Sequence, residues 1–414
     1  MLVIFNKHIN LFRTKIVFRN ILLLFVIIPF LQPTEDALSA LFGRNYAHLF
    51  SRLLVLWNYI SIVICIILFI YYSFKRHFKI QTITYVAVLL CGCLFVCTLF
   101  NGEFSFGYLI PIICNIICIF VLANIWSDLN FKDYIRCWYY YITFWMLINT
   151  FSMYIYYPYG VYTGGLGENN NNYYLFGLDN VSFLYSLAGL FLGNILYYDS
   201  RRTKKITYYF SYFFIMFSYI YVQAGTALVI IFMYVLAVLL LRCHCSFLFK
   251  YSYCILFCGI SFIFIVILNS LGFFEPLLNL IGKDPTFSGR TTIWATELKS
   301  LANNHLFYGY GVIQNNVQYI LTLFGPPWLV NIGHLHNVVM QFLFIGGIPA
   351  AIIFLVLWIN SLSTTKNHSN TKYVQLLIVQ ACLWWLTFMF EYRLEVYLFW
   401  IIPICIYYSS LLQK

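Results

Sequence analysis

The chain has 414 residues, of which 62% are hydrophobic, 21% aromatic and only 9% charged. A soluble domain carries roughly a quarter charged residues, so this composition excludes one. The net charge of +11 does not mark a nucleic-acid binder, because the basic residues sit in short segments between apolar runs.

Apolar runs of about twenty residues, enough to cross a hydrocarbon core of about 30 Å, recur from end to end. In chain order they fall at 18–32, 53–72, 82–100, 107–126, 136–157, 178–198, 206–222, 225–241, 251–271, 336–359, 373–390 and 394–412. The expectation is an all-α polytopic membrane protein of about twelve transmembrane helices. The first run is short and ends at Pro29 and Pro33. It follows a basic segment, but no small-x-small cleavage pattern follows residue 30, so it reads as an uncleaved span. Tyr71, Tyr72, Tyr156, Tyr157, Tyr197 and Tyr198 crowd span ends as interfacial anchors do.

Basic residues favour the cytoplasmic ends of spans, and here they alternate from loop to loop. Lys7, Arg13, Lys15 and Arg19, the 75–79 cluster, Lys132 and Arg136, the 201–205 cluster, Arg242 and Lys250, Lys366 and Lys372, and Lys414 together make 18 of the 24 Lys and Arg. The other side holds Arg44, Arg52, Lys283, Arg290, Lys299 and Arg393. Both termini are therefore expected in the cytoplasm and the 272–335 segment outside. That divides the chain into membrane helices over 1–271, an extracytoplasmic loop with short helices over 272–335, and membrane helices over 336–414.

The thirteen cysteines avoid the outward loop, so a disulfide framework is not expected. Cys243-His244-Cys245 has no second ligand pair nearby and reads as a span end, not a metal site. The outward segment from Pro158 to about Leu175 is rich in Gly and Asn and reads as irregular backbone. Buried ionisable residues are scarce within the spans and no internal repeat is visible, which argues against a transporter.

Chemistry concentrates in Thr286–Gly347. Ser288 can cap a helix starting near Gly289, with Arg290 in its first turn and Trp294, Leu298 and Leu301 as an apolar stripe over a cavity or on the membrane surface. A guanidinium at a helix N-terminus suits an anion such as pyrophosphate; a solvated loop charge is the plainer alternative. His305–Gly311 forms a tight turn. His334 and His336 stand one residue apart before Asn337 and the tenth span, where an imidazole can act as a base near neutral pH or merely satisfy interfacial hydrogen bonds. With no third ligand in a recognisable spacing, they do not read as a metal site. Gly346-Gly347 and Pro349 read as close helix packing and a kink.

The ordered set Gly-Arg290-Thr-x-x-x-Trp294, Phe-Tyr-Gly-Tyr-Gly311, His-x-His336-Asn337 and Gly-Gly347 resembles the O-antigen polymerase/ligase superfamily, the Wzy-type polysaccharide polymerases and WaaL-type ligases. The resemblance implies a GT-C-like membrane glycosyltransferase of the bacterial cytoplasmic membrane with its reaction outside. Its donor and acceptor would be undecaprenyl-pyrophosphate-linked glycans, with no cofactor and no metal, and a chain-length regulator and a flippase as accessory partners. It implies His336 as catalytic base and Arg290 as the pyrophosphate contact, with Asn337 orienting the base or the sugar and His334 and Trp294 as further substrate-binding candidates. One departure stands out: where many members carry a Ser-Arg pair, this chain has Gln223-Ala224-Gly225-Thr226-Ala227. Arg44, Arg52 or Arg393, or Gln223 and Thr226, would have to compensate. A polymerase is the expected function; a ligase uses the same residues, a flippase would show a charged central cavity and internal repeats, and an O-acyltransferase would need an acyl-donor site in cytoplasmic loops that are short and merely basic.

Overall fold

The computed structural model describes residues 16–74, 79–101, 106–164, 171–243, 246–268, 271, 273, 289–313, 316–331, 334–368, 370–391 and 396–411. The helices are α1 (Ile16–Phe30), then α2 (Glu35–Phe42), α3 (Arg44–Ser73), α4 (Thr82–Phe100), α5 (Phe106–Leu129), α6 (Phe131–Tyr156), α7 (Asp179–Tyr197), α8 (Arg202–Tyr221), α9 (Gly225–Arg242), α10 (Tyr251–Phe262), α11 (Arg290–Ala302), α12 (Asn316–Phe324), α13 (Val338–Ser363), α14 (Lys372–Phe390) and α15 (Ile401–Leu411). Over the described residues the expected spans fall largely on helix, the last of them only from residue 397. Eight helices among the described residues are long and apolar enough to cross a membrane, and nine if α1 and α2, bent by 90° at residues 31–34, form one span. The protein is an all-α multi-pass membrane protein.

The segment expected to be irregular is ordered differently. Strands β1 (Tyr162–Gly164), β2 (Asn171–Tyr174) and β3 (Gly177–Leu178) form a small antiparallel sheet. Its register pairs Tyr162 with Tyr173, whose rings stack at 4.9 Å. This cross-strand aromatic pair outweighs the turn-forming composition, and the Gly and Asn residues at 165–170 lie outside the described residues.

The chain divides into two compact units, residues 1–79 with 121–224 and residues 80–120 with 225–414. In the first, α6, α7 and α8 pack through tyrosines. Gly189 and Gly193 leave room for the rings of Tyr212 and Tyr208. The hydroxyl of Tyr208 donates to the Leu190 carbonyl at 2.6 Å, and that of Tyr212 lies 2.8 Å from Thr143 Oγ1. Small residues on one helix and polar tips on the next suit lipid, where association depends on packing and hydrogen bonds because apolar surface gains little by leaving hydrocarbon.

In the second unit α13 packs along α4, and buried rings including Phe342, Phe354, Trp358, Trp384, Phe388 and Trp400 fill the space between α13, α14 and α15. Glycines 346 and 347 do more than permit close packing: α13 is broken at Gly347, with φ 64° and ψ −166°. A broken helix in a membrane releases backbone groups that need partners within the protein, and the turn after α11 supplies them. Tyr310 and Gly311 donate to the carbonyls of Phe344 (2.7 Å) and Ile345 (3.0 Å), while Ile348 N–H donates to Leu306 (2.9 Å). From α4, Thr98 Oγ1 accepts from Val312 N–H at 2.9 Å and Asn101 donates to the Gly309 carbonyl at 3.2 Å. A Cβ on Gly309 would fall 2.4 Å from the Phe344 carbonyl oxygen, and one on Gly347 2.4 Å from the Phe307 backbone.

Alanine at Gly309 or Gly347 should therefore combine a left-handed backbone with a clash and cost about 2 kcal/mol or more. The expected outcome is a fall of several degrees in unfolding temperature of the detergent-solubilised protein. Gly92→Ala, where a Cβ meets nothing within 4 Å, should leave it unchanged. Equal behaviour of the three variants would refute the backbone clamp.

Candidate functional site

Helix α11 starts after Gly289, whose φ of 84° puts it in the left-handed region; the Trp328 ring lies where its Cβ would point. The expected capping residue, Ser288, lies outside the described residues. The helix is not laid on a surface. Ile293, Trp294, Glu297 and Leu301 are fully buried, and Leu298 is the exposed edge of the stripe.

Trp294 pins the segment that carries the histidines. Its indole N–H donates to the Leu335 carbonyl at 2.8 Å, and the Leu335 N–H donates to Gln341 Oε1 at 3.1 Å. On the other side, Asn337 caps α13: its Oδ1 accepts from Val339 and Met340 N–H at 3.0 and 3.1 Å, and its Nδ2 donates to the Met389 carbonyl at 3.3 Å. Between these fixed points His336 is held at φ 56°, a conformation that costs a non-glycine residue of order 1–3 kcal/mol. Asn337 and Trp294 are thus fully buried, and their side-chain bonds to backbone groups on either side hold His336 in place.

The centre of the site is Glu391, which terminates α14 through a backbone bond to Thr387 and is only 4% exposed. One carboxylate oxygen accepts from Arg290 at 2.7 Å and the other lies 3.4 Å from His336 Nδ1. The side chains of Arg290 and His336 are 16% and 20% exposed, so each keeps a reachable edge. An ionised Glu391 favours the tautomer with the proton on Nδ1, leaving the lone pair on Nε2 for a substrate. The His334 ring lies 4.0 Å from that of His336, centroid to centroid. One nitrogen of each histidine and a carboxylate oxygen of Glu391 all lie within 4.8 Å of one another. Glu391 thus adds a third potential ligand atom that the histidine spacing alone does not reveal.

Four of the residues singled out in the sequence, Arg290, Trp294, His334 and His336, thus converge with Glu391, and Asn337 supports them. No sequence pattern joins Glu391 to Arg290, 101 positions away. The signal available was its rarity: a carboxylate at the end of an apolar span. Glu395 and Arg393 lie outside the described residues. Arg44, Arg52 and Gln223 belong to the first unit, and Thr226 to α9 in the second.

Residues 181–355 match a family model described as O-antigen ligase. The match spans under half of the chain and includes Arg290, Trp294, His334, His336 and Asn337, while Glu391 lies beyond it. No curated protein matches the chain. The superfamily resemblance carried by the sequence motifs is borne out by this match.

One carboxyl group of α11 stands apart. Both oxygens of Glu297 are buried with no hydrogen-bond partner, and burial pushes its pKa well above the usual carboxylate range. In the unfolded chain it ionises near pH 4.3. At higher pH the unfolded state has released a proton that the native state keeps, so native stability falls as pH rises towards the folded value. Glu297→Gln should therefore stabilise the protein, with a gain in unfolding temperature that is small near pH 5 and grows towards about pH 8. A difference in unfolding temperature that does not change with pH would overturn the raised carboxyl.

Proposed function

We propose that this member of the O-antigen polymerase/ligase superfamily is a polysaccharide repeat-unit polymerase. It transfers a growing glycan from undecaprenyl pyrophosphate onto the next lipid-linked repeat at the outer face of the bacterial cytoplasmic membrane. The observation that carries the reading is the joint hold of Glu391 on a guanidinium and an imidazole, the two groups that glycosyl transfer from a lipid pyrophosphate requires.

The acceptor hydroxyl attacks the anomeric carbon of the donor, and its proton passes to His336 Nε2 as the new glycosidic C–O bond forms. Glu391 stabilises the imidazolium that results, as the carboxylate of a hydrolytic triad does. The bond from the anomeric carbon to the pyrophosphate oxygen breaks with its electron pair on oxygen. Pyrophosphate leaves without protonation, and the guanidinium N–H groups of Arg290 not held by Glu391 stabilise its charge. His334, beside the base, orients the acceptor. Trp294 and Asn337 keep His336 in its left-handed backbone geometry. Alternating loop charge supports an outward 272–335 segment with both termini inside.

A ligase passing the finished glycan to another acceptor would use the same groups, and the product distinguishes the two. Reconstituted with lipid-linked repeat units, the wild-type chain should build a ladder of products. Removing the base or the cation, His336→Ala or Arg290→Ala, should slow extension by about 100-fold or more. Ladders retained in both variants would overturn the site. Transfer of one glycan only to an unrelated acceptor would favour a ligase, and transbilayer movement without growth a flippase. A tag in the 272–335 loop should be labelled from outside intact cells.

A further inference from the structure

We propose that His334, His336 and Glu391 bind a divalent transition-metal cation of the zinc type, and that this cation silences the centre. Binding follows from geometry. Ligand atoms of the three residues lie within 4.8 Å of one another. One pair, His336 Nδ1 and Glu391 Oε2, is separated by 3.4 Å, about the ligand–ligand distance around a tetrahedral ion with bonds of about 2.1 Å. Two imidazoles and one carboxylate select a borderline cation such as Zn2+ over Mg2+ or Ca2+, which require six or more oxygens. Three protein ligands leave a fourth position for water or a phosphate oxygen. The ligands are also held in place: Glu391 ends α14, His336 is fixed between Leu335 and Asn337, and the two imidazole rings already lie 4.0 Å apart.

Arg290 opposes the ion. An outer-shell partner that strengthens a ligand is an anion or a carbonyl; a guanidinium 2.7 Å from Glu391 weakens the carboxylate as a donor and repels a dication. The site is therefore shared between two states. In one, Glu391 serves Arg290 and His336. In the other it serves the metal, which occupies Nδ1 of His336 and moves the ring proton to Nε2. That nitrogen then cannot take the proton of an acceptor hydroxyl. The silencing rests on the base role proposed above; the binding does not.

Co2+ reports four-coordinate binding by its visible absorption and can be titrated into the metal-free, full-length protein in detergent micelles. The wild type should saturate at one ion per chain, displaceable by Zn2+. His334→Ala and Glu391→Gln should weaken binding by about 10-fold or more. Arg290→Gln should instead tighten it by at least about 10-fold, a gain that misfolding cannot produce. Absence of a saturable band in the wild type, wild-type affinity in His334→Ala and Glu391→Gln, or no tightening in Arg290→Gln would each overturn the site. Zn2+ should also stop glycan extension, and a chelator should restore it. If the ion binds as expected and extension continues, the silencing and the base role of His336 fall together while the metal site stands. If the wild type extends no glycan at all, the polymerase reading falls and the cobalt titration alone decides the site.

Discussion

Every backbone N–H and C=O that leaves a helix inside a membrane must find a partner within the protein, and this constraint shapes the second unit. α13 is broken at Gly347, and the freed groups of Phe344, Ile345 and Ile348 are taken by the 306–311 turn. That turn follows directly from α11, so satisfying the break also fixes the C-terminal end of the helix that carries Arg290. The same economy recurs at the other end of α13. The Leu335 carbonyl and N–H and the first N–H groups of the helix are claimed by Trp294, Gln341 and Asn337. The chemistry sits between these two sets of backbone bonds.

Against that frame the ion pair of Arg290 with Glu391 has a particular value. A largely buried pair gains little net stability, because desolvation offsets much of the attraction, yet removal of one partner leaves the other uncompensated. Its contribution is geometric. The carboxylate fixes the plane of the guanidinium and the tautomer of His336 at once. The same carboxylate neutralises the cation, so in the proposed reaction a pyrophosphate would meet a guanidinium whose charge is already balanced and rely on its remaining N–H donors. The resemblance leads one to expect a second arginine near the phosphates, and the Gln223–Ala227 segment has none.

Much of this was legible in the sequence, for physical reasons that differ from residue to residue. The membrane helices were, because about twenty consecutive apolar residues leave few alternatives; α4 runs from Thr82 to Phe100, within the limits the apolar run sets. Arg290 and His336 were legible because polar chemistry is conspicuous in such a chain. Their junction at Glu391 was not, since no local periodicity links residues 101 positions apart. The Gly346-Gly347 pair announced a special backbone, but close packing and a left-handed break share that signal. The 162–178 sheet was hidden by a composition rich in Gly and Asn, while Tyr162 and Tyr173 pair across it.

The fully buried positions of Asn337 and Trp294 alter how the site is understood. Asn337, expected to orient the base or the sugar, and Trp294, a substrate-binding candidate, both hold the backbone around His336. His336 keeps a backbone conformation costing of order 1–3 kcal/mol because Trp294 fixes the residue before it and Asn337 the helix after it. That strain aims the imidazole at Glu391. An extended residue 336 would turn its side chain away from α14, so the carboxylate would keep its arginine and lose its histidine. Base and cation are coupled through a single buried acid only while the backbone between Leu335 and Asn337 remains pinned at both ends.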